Sequence, residues 1–163
     1  MWFRNRNIDQ YVVDTSHLRR ELEIAACRAA LRLVAPDVYR FQCDVPWGNR
    51  DSWPDDVIAA ATILAPLPEN ATPKKIYQDT GWITNFPETV WQAFVTFAPY
   101  AFSSDAWTDD MKPVVDINDE GTSLVVRVLP EQVRQFEQAV PEADVIPLIE
   151  WRRRPRRIRK ASH

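Results

Sequence analysis

The clearest periodicity in the chain runs over residues 37–45, DVYRFQCDV. Tyr39, Phe41, Cys43 and Val45 alternate with Arg40, Gln42 and Asp44, and a period of two is that of a half-buried β-strand. A different spacing precedes it. Over residues 16–35, Leu18, Leu22, Ala26, Ala29 and Leu33 fall near one stripe of a helix, with Asp14, Thr15 and Ser16 as candidate caps and Pro36 as the stop. Residues 57–65 are apolar almost all round, which fits a buried short helix or a buried strand. Residues 87–98 set Val90, Trp91, Phe94 and Phe97 at helical spacing behind Asn85, Pro87 and Glu88, although aromatic and β-branched content leaves a strand open there.

Towards the C-terminus, PVVDI and SLVVRVL flank NDEGT, a β-hairpin with Gly121 at its turn. Pro130 opens a short helix with Val133, Phe136 and Val140 on one face, and Pro141 ends it. DVIPLIEW reads as a last extended segment, an edge strand because Pro147 has no N–H for a ladder. The pattern predicts an α+β fold: a single domain with an antiparallel or mixed sheet of about four or five strands, packed with three or four helices.

Composition supports one domain with a substantial core. A chain of 163 residues buries roughly 70% of the surface it exposes when unfolded. Seven Trp, seven Phe and four Tyr can fill much of that core. Three glycines against 13 prolines mean stiff connections with few cheap left-handed turns. No apolar run approaches the roughly 18–20 residues of a membrane span, and MWFRNRNIDQ lacks the apolar stretch of a secretory signal. Cys27 and Cys43 are the only cysteines, too few for a disulfide framework. They read as free thiols, and the chain as cytoplasmic, or assembled into a particle from the cytoplasm, with no membrane partner.

Charge divides the chain in two. Residues 1–151 hold 13 of the 20 Lys and Arg and all 23 Asp and Glu, a net −10, whereas residues 152–163 hold seven bases and no acid. The expected organisation is an acidic α+β body over 1–151 and a basic tail over 152–163, comprising Arg152, Arg153, Arg154, Arg156, Arg157, Arg159 and Lys160. Such a body repels nucleic acid at long range, while such a tail attracts phosphate or an acidic protein surface.

Catalytic chemistry finds few residues to work with. His17 and Cys27 are ten positions apart, about 15 Å along a helix and on different faces, so they form no dyad within it. Cys43 lies on the apolar side of its strand, the ordinary place of a small core residue. Zinc lacks enough His and Cys ligands, and no phosphate loop or nucleophile elbow occurs. DINDEG, residues 116–121, begins like a calcium loop, but Arg127 stands where the bidentate acid belongs. We therefore expect no catalytic residue, metal or cofactor.

The carboxylates concentrate in a repeated hexapeptide, DSWPDD at 51–56 and DAWTDD at 105–110. If the copies met, Asp51, Asp55, Asp56, Asp105, Asp109 and Asp110 would offer oxygen ligands or an acidic patch. The more ordinary reading is two helix or turn starts: Asp51 or Ser52 caps the first, Pro54 enters its first turn, and Asp55 and Asp56 complement its dipole. Ser103, Ser104 and Asp105 would cap the second. With Trp47, Trp53, Trp82 and Trp107 as aromatic anchors, the expected function is that of a non-catalytic interaction protein. It would act as a subunit of a larger assembly, such as a virion or phage-type particle, with the basic arm docking on a neighbouring copy, another protein or nucleic acid. The alternative is an acidic inhibitor or immunity-type protein that neutralises a basic toxin or nuclease.

Overall fold

The alternating segments pair into one antiparallel sheet, seen in a computed structural model that describes residues 9–154. Its strands are β1 (Asp9–Asp14), β2 (Arg40–Pro46), β3 (Tyr77–Asp79), β4 (Ile83–Thr84), β5 (Ser103–Trp107), β6 (Pro113–Asn118), β7 (Ser123–Val128) and β8 (Asp144–Pro147). In space they run β3-β2-β5-β6-β7-β1-β8, with β4 also paired to β2. Eight strands replace the expected four or five. The inward positions of β5 are Ser104 and Ala106, too small to register as apolar alternation, and β4 is only two residues long.

Five α-helices lie among the described residues: α1 (Arg20–Val34), α2 (Asp55–Leu64), α3 (Glu88–Phe97), α4 (Pro130–Ala139) and α5 (Leu148–Arg153). The expected three or four omit α5, because DVIPLIEW splits. Asp144–Pro147 is the predicted edge strand, and the remainder turns into a short helix. The division expected between Trp151 and Arg152 falls inside that helix.

The first helix starts later than its cap candidates suggest. Asp14 accepts hydrogen bonds from the Ser16 backbone N–H (3.1 Å) and hydroxyl (2.6 Å), closing a turn after β1 and leaving Arg19 at the cap position. The buried stripe of α1 is Ala26, Cys27, Ala30, Leu31 and Val34, while Leu18, Ala29 and Leu33 line its flanks. Both cysteines are buried free thiols. Burial pushes the Cys27 thiol up to about 12 and raises Cys43 as well.

One face of the sheet carries the main core. Phe41, Cys43 and Val45 of β2 point into it with Val115, Ile117, Leu124 and Val126. Phe41 stacks on Phe94 at 4.2 Å between ring centroids, and the edges of Phe86 (4.7 Å) and Trp91 (5.5 Å) close around it. These separations are those at which aromatic pairs attract. Trp47, Trp53 and Phe97 form a second aromatic group, and Trp47 donates its indole N–H to Gln78 at 2.7 Å. The hairpin turn at Gly121 is tight: Asp119, Glu120 and Gly121 all have positive φ. A Cβ at Gly121 would sit 3.2 Å from both Cys27 Sγ and the Pro99 carbonyl, so glycine is required there.

The fold predicts different fates for two tryptophans expected to act alike. Trp47→Ala removes a fully buried ring and should cost about 3–5 kcal/mol. Trp82→Ala, at an exposed ring, should cost less than about 1.5 kcal/mol. Denaturant midpoints of the two variants check this, and equal losses would contradict the placement.

Candidate functional site

Phe41 facing the core turns Arg40, Gln42 and Asp44 to the opposite face, because successive side chains of a strand alternate. Strand register then fixes their neighbours. Asp44 lies opposite Asp79, Gln42 opposite Asp105, Arg40 opposite Trp107, and Asp105 opposite Asp116. Four carboxylates therefore share one side of β3, β2, β5 and β6 in two directly opposed pairs, and like charges so placed repel. Among the described residues, none of the four lies in an ion pair.

Hydrogen bonds hold these carboxylates instead of cations. Asp44 is buried, 4% exposed, and accepts from the Tyr77 hydroxyl (2.6 Å) and the Ser103 backbone N–H (3.0 Å). That bond to Asp44 pushes the Tyr77 phenol up to about 12, because it favours the protonated phenol. Asp105 accepts from Gln42 Nε2 (3.2 Å) and from the Trp107 indole N–H. Burial nevertheless raises its carboxyl above the ordinary range, against those hydrogen bonds and with help from Asp116 and Asp79. Asp116 accepts from Asn118 Nδ2 at 2.8 Å.

An aromatic cluster closes one end of the acidic rows. The Arg40 guanidinium lies 4.6 Å from the ring centroid of Trp82, which meets Trp107 edge-on at 5.8 Å. Arg40 Nε and Nη2 are buried without a hydrogen-bond partner among the described residues, so the ring face is the nearest stabiliser of that charge. At the other end of the sheet, Val12 and Ile146 are buried on this same face yet stand apart from the main core. The helix packed against β1 there is α5. Between α5 and the tryptophans, Asp79 is exposed, Asp105 and Asp116 are half-buried and Asp44 is buried.

The expected site residues divide sharply. Trp47 and Trp53 are 1% and 7% exposed, so they are core residues and not surface anchors. Local polarity around Trp53 misleads, since its ring turns inward between a 3-10 turn and α2. Trp82 is 44% exposed and Trp107 half-buried, and these two do meet. Asp55 and Asp56 occupy the first turn of α2 as expected, but Pro54 holds the cap position without a side-chain hydrogen bond. Ser52 donates to the Asn49 carbonyl instead of capping, and Asp51 pairs weakly with Lys74 at 3.9 Å.

The second hexapeptide is a strand end and turn, not a helix start. Asp105 and Trp107 belong to β5, while exposed Asp110 pairs with Lys112 at 2.8 Å and Asp109 is exposed nearby. That bond from Lys112 lowers the Asp110 carboxyl. No hydrogen bond or ion pair among the described residues joins the two hexapeptides. Asp105 alone of their acids belongs to the open face, with Asp44, Asp79 and Asp116, none of which sequence reasoning selected. Asp44 and Asp116 fall in segments read as strands from the sequence, whereas Asp79 lies in a three-residue strand that local pattern does not mark.

Of the basic arm, Arg152 and Arg153 close α5 and Arg154 follows it, its guanidinium 5.3 Å from the Trp151 ring centroid. Arg156, Arg157, Arg159 and Lys160 lie outside the described residues. Within those residues, no group of three His, Cys, Asp or Glu has a metal-holding arrangement, and no helix is long and apolar enough to cross a membrane. No protein-family model matches the sequence, and no curated protein or solved structure matches the chain.

The opposed acids predict a pH-dependent gain from neutralising one of them. Because the folded Asp105 carboxyl is raised, stability falls as pH climbs from the ordinary carboxylate range through that raised value. Asp116→Asn keeps an acceptor for Asn118 and removes one charge. It should stabilise by about 0.2–1 kcal/mol at neutral pH, shrinking towards zero below about pH 4. Urea midpoints across pH measure this, and a gain independent of pH would contradict it.

Proposed function

We propose that this chain is a non-catalytic interaction protein, a subunit of a larger assembly, which receives a basic segment of a protein partner on the open face of its sheet. One observation carries the reading: two opposed carboxylate pairs, Asp44–Asp79 and Asp105–Asp116, lie side by side, and among the described residues no cation forms an ion pair with them. Such an arrangement destabilises the free protein, and a basic partner would relieve it. Electrostatic complementarity of this kind chiefly sets association rate and partner choice. Trp82, Trp107 and Arg40 supply the residue types that concentrate binding energy in protein interfaces.

The surface also selects chemistry. A row of carboxylates repels phosphate, so nucleic acid is a poor fit and an Arg- or Lys-rich peptide a good one. An oligoarginine peptide is a suitable probe. Its affinity should fall at least about tenfold in Asp79→Asn/Asp105→Asn/Asp116→Asn, a loss of about 1.4 kcal/mol. It should stay nearly constant in Asp51→Asn/Asp55→Asn/Asp56→Asn. Calorimetric titration at low salt decides between them, and equal losses from both variants would contradict a face-specific site.

A further inference from the structure

We propose that Arg40 binds the carboxylate of an apolar or aromatic acid, admitted when the segment carrying Trp82 lifts. The site differs in kind from the acidic rows, because its ligand carries the opposite charge. The Nε–H and Nη2–H groups of an arginine form one edge of the guanidinium, spaced to hold both oxygens of a carboxylate. In Arg40 both atoms are buried, and neither has a hydrogen-bond partner among the described residues. Long basic side chains usually carry their heads to water, and buried donors are nearly always paired. Arg28 gives the contrast: its Nη2 donates to the Thr96 carbonyl at 2.9 Å, and only Nε lacks a partner. Strand register keeps this chain's own acids off the Arg40 edge. Arg40 lies opposite Trp107 on β5 and Thr84 on β4. Asp105, the one carboxylate of β5, lies opposite Gln42 and accepts from Gln42 and the Trp107 indole.

The surroundings describe the rest of the ligand. The guanidinium lies 4.6 Å from the Trp82 ring centroid, and Trp107 meets Trp82 edge-on. Tyr39 and Met111 are exposed at the same end of the sheet. The Tyr39 N–H donates to the Trp107 carbonyl, and Met111 sits in the turn that Thr108 and Lys112 close after β5. Apolar surface around a few convergent polar groups is the make-up of a small-ligand site. Asp105, two residues along β5 and paired with Asp116, repels a dianion such as phosphate more than a single carboxylate. Entry requires Trp82 to move, since both donors are shielded. Its segment pairs with β2 through two residues only, and left-handed residues bracket it, Gly81 at φ 61° and Asn85 at φ 50°. Such positions at element ends serve as hinges. A carboxylate in the guanidinium plane leaves the other face of the group free, so the segment closes again with Trp82 stacked on Arg40.

The test follows the Arg40 Nε–H signal by nitrogen–proton NMR as N-acetylphenylalanine is added to the full chain at constant ionic strength. That signal should shift saturably, and the Trp82 indole N–H should shift with it. N-acetylphenylalaninamide, which lacks the charge, and inorganic phosphate should leave both in place. Arg40→Lys keeps the positive charge and loses the paired donors, so calorimetry should show affinity for N-acetylphenylalanine at least about tenfold lower. Should Arg40→Lys fail to fold, the titration of the unaltered protein decides alone. Phenylpropionate separates the two sources of such an acid. Binding equal to that of N-acetylphenylalanine supports a free small acid, and binding at least about tenfold weaker supports the C-terminal residue of a peptide. An Arg40 signal that no acid moves, or that acid and amide move equally, would overturn the inference. A shift at Arg40 with Trp82 unmoved would overturn the lifting segment.

Discussion

Phe41 is the side chain on which the two faces of this protein are sorted. Its ring stacks on Phe94 and is enclosed by Phe86 and Trp91, so β2 has one register compatible with a closed core. The period of two then leaves no freedom: Arg40, Gln42 and Asp44 must face outward. Pairing carries the constraint across the sheet, from Asp44 to Asp79, from Gln42 to Asp105, and from Asp105 to Asp116. A slip of one residue would drive carboxylates into the aromatic core and is forbidden by their desolvation. The acidic face is thus a consequence of how the opposite face packs.

That coupling explains how repulsive charges persist. Directed hydrogen bonds from Tyr77, Ser103, Gln42 and Asn118 hold them in place. The aromatic interior supplies stability enough to carry the repulsion, a pattern expected where a surface serves binding more than folding. On the same face, α5 covers Val12 and Ile146 and presents arginine at its end. Opposite charges therefore share one side of the molecule.

Much of this was legible in the sequence. The alternation of β2, the helical spacing of α3, the hairpin of β6 and β7, and the edge position of β8 all follow from local pattern. What failed did so for physical reasons. Identical-looking hexapeptides fold differently because Pro54 favours a helix start after Trp53, whereas Ser104, Ala106 and the pairing of β5 with two neighbours make Asp105 a strand residue. Trp53 sits among polar residues but is buried by a tertiary contact with Phe97, which no local window contains. The candidate site escaped for a related cause: Asp44, Asp79, Asp105 and Asp116 lie on four strands and converge only through sheet register.

The claim that the open face receives basic chain is tested most directly by backbone amide shift mapping during titration with oligoarginine. The account predicts that the shifts concentrate at Gln42, Asp44, Asp79, Asp105 and Asp116, with the Trp82 indole moving alongside. Shifts centred on residues 51–56 at the start of α2, with β2, β5 and β6 unmoved, would contradict it.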